Sequence, residues 1–211
     1  MNKSNLINHT DIPLSRGNSL HNIFPTPVWK ITATKETEHI IEDVIQETYR
    51  YKETHKPEQY SNIGGYQTKT LPLDRFHPNG LDYIESIIKE YINPEYEISK
   101  ERLPFAGWWV NINGTGSWNA PHCHPGSDLV LIWYLTDSNG LLALTNPYTY
   151  SRVHLLSCFS DTNEPSSVLR VDAKKGDIII FPSDMQHMVM PNKNKEDRLS
   201  VSMNLNLVQK S

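Results

Sequence analysis

The spacing of apolar residues changes partway along the chain. From Thr37 to about Lys52, Ile40, Ile41, Val44, Ile45 and Thr48/Tyr49 recur at steps of three and four, which marks one face of an amphipathic helix. Leu81, Ile84, Ile87, Ile88 and Tyr91 repeat that spacing and predict a second helix from Asn79 to about Ile92. After Leu103 the helical period gives way to short runs rich in Val, Ile, Trp, Tyr and Leu, broken by Gly, Pro, Asn or Asp. Phe105 to Asn113, Leu129 to Leu135, Leu141 to Thr145, Ser167 to Asp172, Asp177 to Phe181 and Leu199 to Val208 therefore read as strands. Another short strand follows the proline-restricted entry at Asn22–Ile31. Asp137-Ser138-Asn139-Gly140 predicts a hairpin, since Asn-Gly accepts the positive φ of a tight turn. Ser61-Asn62-Ile63-Gly64-Gly65-Tyr66-Gln67 reads as a glycine-containing loop that either approaches a ligand or simply turns the chain.

Many short strands in about a hundred residues predict a sandwich or barrel, with the preceding helices packed on its outer face. The expected fold is mainly β with flanking helices. Residues 1–22 are polar and aperiodic and predict an N-terminal arm. Residues 23–211 predict one domain, helical and mixed over 23–103 and built of core strands over 104–211. A net charge of −4 and a pI near 6.1 give no basic footprint for nucleic acid. The absence of an 18-residue apolar run or a signal-peptide core predicts a soluble, cytoplasmic protein with no membrane partner. In that compartment Cys123 and Cys158 are expected as free thiols, although the sequence also allows a disulfide.

The candidate chemistry lies in Pro121-His122-Cys123-His124-Pro125. Histidines at i and i+2 on an extended segment project to one side, so His122 and His124 could reach one metal ion, with Cys123 pointing away. A third imidazole, His187, follows the apolar run Asp177–Phe181, which reads as a buried strand bounded by Gly176 and Pro182. A strand-borne His-x-His completed by a distant histidine is the arrangement of double-stranded β-helix (jelly-roll, cupin-like) metalloenzymes. Three visible ligands also favour an open, catalytic site over a closed structural one.

At this point the chain resembles the 2-oxoglutarate- and iron(II)-dependent oxygenases, and within them a small group of phage and bacterial proteins with a His-x-His…His motif. The likeness rests on Phe24-Pro25-Thr26-Pro27-Val28, Ser61–Tyr66, Trp109-Val110-Asn111, Gly116 and Asn119 before His122-Cys123-His124-Pro125, Trp133-Tyr134-Leu135, Gly176–Ser183, His187, Pro191-Asn192 and Arg198–Ser202. It implies that His122 and His187 are the two histidines of the iron triad. His124 falls where the superfamily usually has a carboxylate, a departure that makes the site one unit more positive. Asp128 is the nearest alternative carboxylate.

The resemblance further implies that Arg198 grips the distal carboxylate of 2-oxoglutarate, a task suited to a planar guanidinium fork. Ser200 on the same strand face, and Tyr134 from the strand after the His-x-His turn, would complete that pocket. The implied reaction consumes O2 and 2-oxoglutarate, yields succinate and CO2, and hydroxylates a C–H bond of a small-molecule or peptide substrate. Halogenation is disfavoured because a ligand-capable histidine stands where halogenases carry a small residue. Edge strands and the arm could support a homodimer. Two other readings stand beside this one: a cupin-type three-histidine dioxygenase that does not use 2-oxoglutarate, and a non-catalytic β-helix binding module. His9, His21, His39, His55, His77 and His154 lack partner spacing and read as surface or packing residues. Trp108, Trp109, Trp118 and Trp133 read as core or pocket lining.

Overall fold

The computed structural model describes residues 26–99, 101, 106–138, 142–146 and 168–210. The expected arm over residues 1–22, and Cys158, lie outside them. The first predicted helix forms as α1 (Glu38–Thr54), with Ile40, Ile41, Val44 and Thr48 on its buried face. The second forms as α2 (Pro78–Ile87), with Pro78 in the first turn, where its missing N–H costs nothing. It runs on through a π-helical turn, Ile88–Ile92, so the apolar face reaches Ile92 as its periodicity predicts. No helix among the described residues is long and apolar enough to cross a membrane.

The described strands are β1 (Trp29–Ile31), β2 (Asn62–Ile63), β3 (Tyr66–Gln67), β4 (Tyr96–Ile98), β5 (Gly107–Asn113), β6 (Trp118–His122), β7 (Leu129–Tyr134), β8 (Leu142–Thr145), β9 (Val168–Val171), β10 (Ile178–Pro182), β11 (His187–Val189), β12 (Arg198–Leu205) and β13 (Leu207–Gln209). A major sheet has the order β1-β10-β7-β12-β5-β3, a minor sheet the order β2-β6-β11-β8-β9, and β13 pairs with β4. Their pairings are antiparallel. Two apolar cores explain why β7 is apolar throughout. Leu129, Leu131 and Trp133 pack with Ile40, Ile84 and Ile88 of the helical layer, while Val130, Ile132 and Tyr134 meet Leu142 and Leu144 of the minor sheet. A strand covered on both faces shows no polar alternation. The result is a double-stranded β-helix with helices on the outside of its major sheet.

Two local readings change. The strands on either side of Asn139-Gly140, which itself lies outside the described residues, do not pair with each other: they sit in different sheets. Both edges of β7 are taken by β10 and β12, so β8 has nowhere to pair with it. Asp137 and Ser138 instead hold the 173–175 segment, through Ala173 N–H to Ser138 Oγ (2.8 Å), Ser138 N–H to Ala173 O (2.9 Å) and Lys175 N–H to Asp137 Oδ1 (2.9 Å). The loop at Ser61–Gln67 becomes β2 and β3, one paired to β6 in the minor sheet and the other to β5 in the major sheet. Gly64 supplies φ +75° there, and a Cβ on Gly65 would stand 2.6 Å from the Ile112 carbonyl oxygen.

Candidate active site

Antiparallel pairing of β11 with β6 places His187 directly opposite His122, with ring centroids 4.3 Å apart. The register slips by one residue between His187 and Val189, a bulge of the kind that re-aims side chains near functional sites. His124 arrives differently from the expected strand geometry, because β6 ends at His122 and His124 lies in the following turn. Its backbone N–H donates to Ser183 O at 2.8 Å, and its ring lies nearly parallel to Trp109, 14° between planes and 5.5 Å between centroids. Candidate ligand atoms of His122, His124 and His187 all lie within 4.8 Å of one another. Cys123 is exposed and free. Asp128 is engaged elsewhere, its Oδ2 accepting the Leu207 N–H at 2.8 Å, and it does not join the histidine group.

The hydrogen bonds of the three rings define one protonation pattern. Nδ1 of His122 meets Ala120 O at 2.7 Å, Nδ1 of His187 meets Met185 O at 3.0 Å, and Nδ1 of His124 meets Asn204 Oδ1 at 2.6 Å. A carbonyl oxygen only accepts, so each Nδ1 carries the proton and each Nε2 keeps its lone pair. Nε2 of His124 is buried with no hydrogen-bond partner among the described residues. Burial disfavours the imidazolium form in all three, taking His124 down to about 4 and His187 to about 3, with His122 also lowered and its proximity adding to the effect on the other two. Three neutral imidazoles with inward lone pairs suit a divalent transition ion.

Arg198 opens β12 and is only 4% exposed. Its guanidinium makes one long hydrogen bond, Nη1 to Met190 O at 3.4 Å, and no carboxylate of the described residues pairs with it. Burial lowers its pKa to about 10, opposed by nearby Tyr134. Tyr134 is itself buried, which pushes its phenol above the ordinary range. Ser200 is the cross-strand partner of both Tyr134 and Asn111. One cavity between the sheets is lined by His122, His124, His187, Tyr134, Arg198 and Ser200.

Asn111 and Asn119, which the residue pattern does not mark as functional, also line this cavity, with Asn62 and Asn113 hydrogen-bonded to them. Asn62 Nδ2 donates to Asn111 Oδ1 (3.1 Å), Asn111 Nδ2 to Ser202 Oγ (3.3 Å), Asn119 Nδ2 to Ser61 Oγ (3.2 Å) and Asn113 Nδ2 to Asn119 Oδ1 (3.3 Å). The available signal was two asparagines at period two inside β5, a strand otherwise apolar enough to be buried. Trp109 borders the cavity, whereas Trp133 is fully buried in the helical-side core and Trp108 donates from Nε1 to Pro72 O. His55 stacks on Tyr51, and His77 lies 3.5 Å from Asp43, both apart from the triad.

Comparison with known proteins is consistent with this picture. Residues 107–204, just under half of the chain and the part that holds every sequence-predicted site residue, match the family model described as "Putative 2OG-Fe(II) oxygenase". A Pseudomonas putida prolyl-4-hydroxylase has a similar fold at TM-score 0.58 and 11% identity, over 88% of this chain and 94% of its own. HygX from Streptomyces hygroscopicus, solved with nickel and 2-oxoglutarate bound, aligns at TM-score 0.56 and 10% identity over 86% of this chain and 83% of its own. SnoN, an α-ketoglutarate-dependent epimerase of nogalamycin biosynthesis, aligns at 0.53 and 14% over 87% and 78%. No curated protein sequence matches the chain.

Proposed function

We propose, from a strand core that matches the 2OG-Fe(II) oxygenase family, that this protein is a 2-oxoglutarate- and iron(II)-dependent dioxygenase that hydroxylates a C–H bond. One observation carries the reading: a single cavity has three convergent imidazole nitrogens at one side and, on its wall, a buried guanidinium that no carboxylate of the described residues pairs with. 2-Oxoglutarate has the matching ends, a keto acid that chelates a metal and a carboxylate four carbons away. Bound iron(II) supplies the oxygen chemistry, by which 2-oxoglutarate goes to succinate and CO2 as the substrate is hydroxylated.

In this reading His122, His124 and His187 hold the ion through Nε2, and the carbonyl acceptors at Ala120, Asn204 and Met185 hold the rings in the binding tautomer. Arg198 pairs with the distal carboxylate, which offsets the cost of burying the cation. Ser200 and Tyr134 donate hydroxyls to the same group, and the burial that keeps Tyr134 protonated preserves it as a donor. A three-histidine dioxygenase without 2-oxoglutarate would leave Arg198 buried with no counter-charge among the described residues, which favours the first reading.

Anaerobic titration of the protein with iron(II) and then 2-oxoglutarate tests this. The weak visible charge-transfer absorption of a chelated keto acid is expected only when both are present. Folded, iron-loaded protein that gave no such band would overturn the reading.

A further inference from the structure

A second, more open groove adjoins the triad on its outer side and shares His122, His124, Trp109 and Ser61 with the cavity just described. It holds about 550 Å³, and among the described residues no Asp, Glu, Lys or Arg lines it. Tyr60, 70% exposed, stands at its rim, and Trp109 forms an aromatic wall beside His124.

The informative residue is Gln67. It lies on β3, is 3% exposed, lines the groove, and its Oε1 is buried with no hydrogen-bond partner among the described residues. Its main chain is already committed, since its carbonyl accepts from Glu58 N–H at 3.0 Å and its Cα pairs in register with Asn111. Leaving a buried amide oxygen unmatched is costly enough that such groups are rare in native proteins. A ligand that offers it an N–H would remove that cost.

Resting on the oxygenase reading for the position of the reacting atom, we propose that this groove is the substrate site and that Gln67 recognises the backbone of an uncharged, extended peptide segment. An extended residue presents its own N–H and C=O on the same edge, as in an antiparallel hydrogen-bonded pair. One carboxamide, with an acceptor oxygen and a donor nitrogen, complements that edge with two parallel hydrogen bonds. Tyr60 and Trp109 then pack against flanking side chains. The groove's described lining offers no counter-charge to the ammonium and carboxylate of a free amino acid.

Equilibrium dialysis with mass-spectrometric readout decides it. The probes are a pool of N-acetylated, C-amidated hexapeptides of uncharged residues and, separately, the free amino acids, each offered to protein loaded with iron(II) and 2-oxoglutarate under nitrogen. Capped peptides should be retained in preference to free amino acids. Gln67→Ala, and Gln67→Met as the variant closest in shape, should each lower retention at least tenfold while still binding iron and 2-oxoglutarate. Equal retention by the variants, equal retention of free amino acids, or no peptide retained by loaded wild-type protein would each overturn the proposal. The metal-free protein is run in parallel. If metal or 2-oxoglutarate fails to bind, the oxygenase reading falls, and Gln67-dependent peptide retention still decides the groove.

Discussion

Along β12, Leu199, Val201, Met203 and Leu205 pack into the core shared with α1 and α2, whereas Arg198, Ser200, Ser202 and Asn204 line the cavity or the groove beside it. The alternation of a single strand thus separates a face that holds the fold together from a face that lines the cavity and groove. The apolar face is satisfied by contacts already in place. The polar face carries a buried cation with one long hydrogen bond among the described residues, and through Asn204 it holds His124, whose Nε2 has none there.

Substitutions on the two faces should therefore move different observables. Arg198→Met is the largest expected effect: 2-oxoglutarate affinity should fall by about 2–5 kcal/mol, roughly thirty- to several-thousand-fold by calorimetry. The ligand-free variant should melt no lower than wild type, because an unpaired buried charge is replaced by an apolar chain of similar length. Met203→Ala, five residues on and on the other face, should do the reverse. It should cost about 2–5 kcal/mol in urea unfolding and leave the affinities of the folded protein unchanged. A variant of either kind that moved both observables together would break the separation.

Asn204→Ala sharpens the comparison at its boundary, since this residue reaches across to Nδ1 of His124. Losing the acceptor frees the ring and its tautomer, and metal affinity by competition with a chromophoric chelator should drop about 10- to 100-fold. The smallest effect near neutrality is acid sensitivity of the metal-free protein. His124 and His187 titrate at about 4 and about 3 in the folded chain, below the ordinary imidazole value of 6.5, so the unfolded chain takes up protons first as pH falls. Their neutral forms cost nothing above pH 6.5, and stability should decline progressively from there toward pH 4. Urea midpoints at pH 7.5, 6.5 and 5.5 measure this, and His124→Gln should flatten the profile.

The parts of this molecule that were legible in the sequence are those whose cause is local. Helical spacing placed α1 to within two residues and α2, taken together with its π-helical turn, to within one, and unbroken apolar runs marked β7 and β10, because burial on both faces leaves that trace. The three histidines and Arg198 were legible as residue types in order, and the fold brings them to one cavity. What stayed hidden depends on partners far along the chain. Asn204 is eighty residues from the ring it orients, and nothing in the spacing of Asn-Gly after β7 reveals that both edges of that strand are occupied. The short strands β2, β3 and β11 carry too few residues for a period to register, so their placement follows from tertiary pairing alone.

The anchoring of the triad has a mechanical side. His122 and His187 ride on the minor sheet, whereas His124 is tethered through Ser183 and Asn204, which belong to or follow strands of the major sheet. An ion held by all three would act as a rivet through both layers of the sandwich. The layers could then neither slide nor splay without breaking a coordinate bond, and loading the metal would stiffen the sheets as a pair rather than the pocket alone.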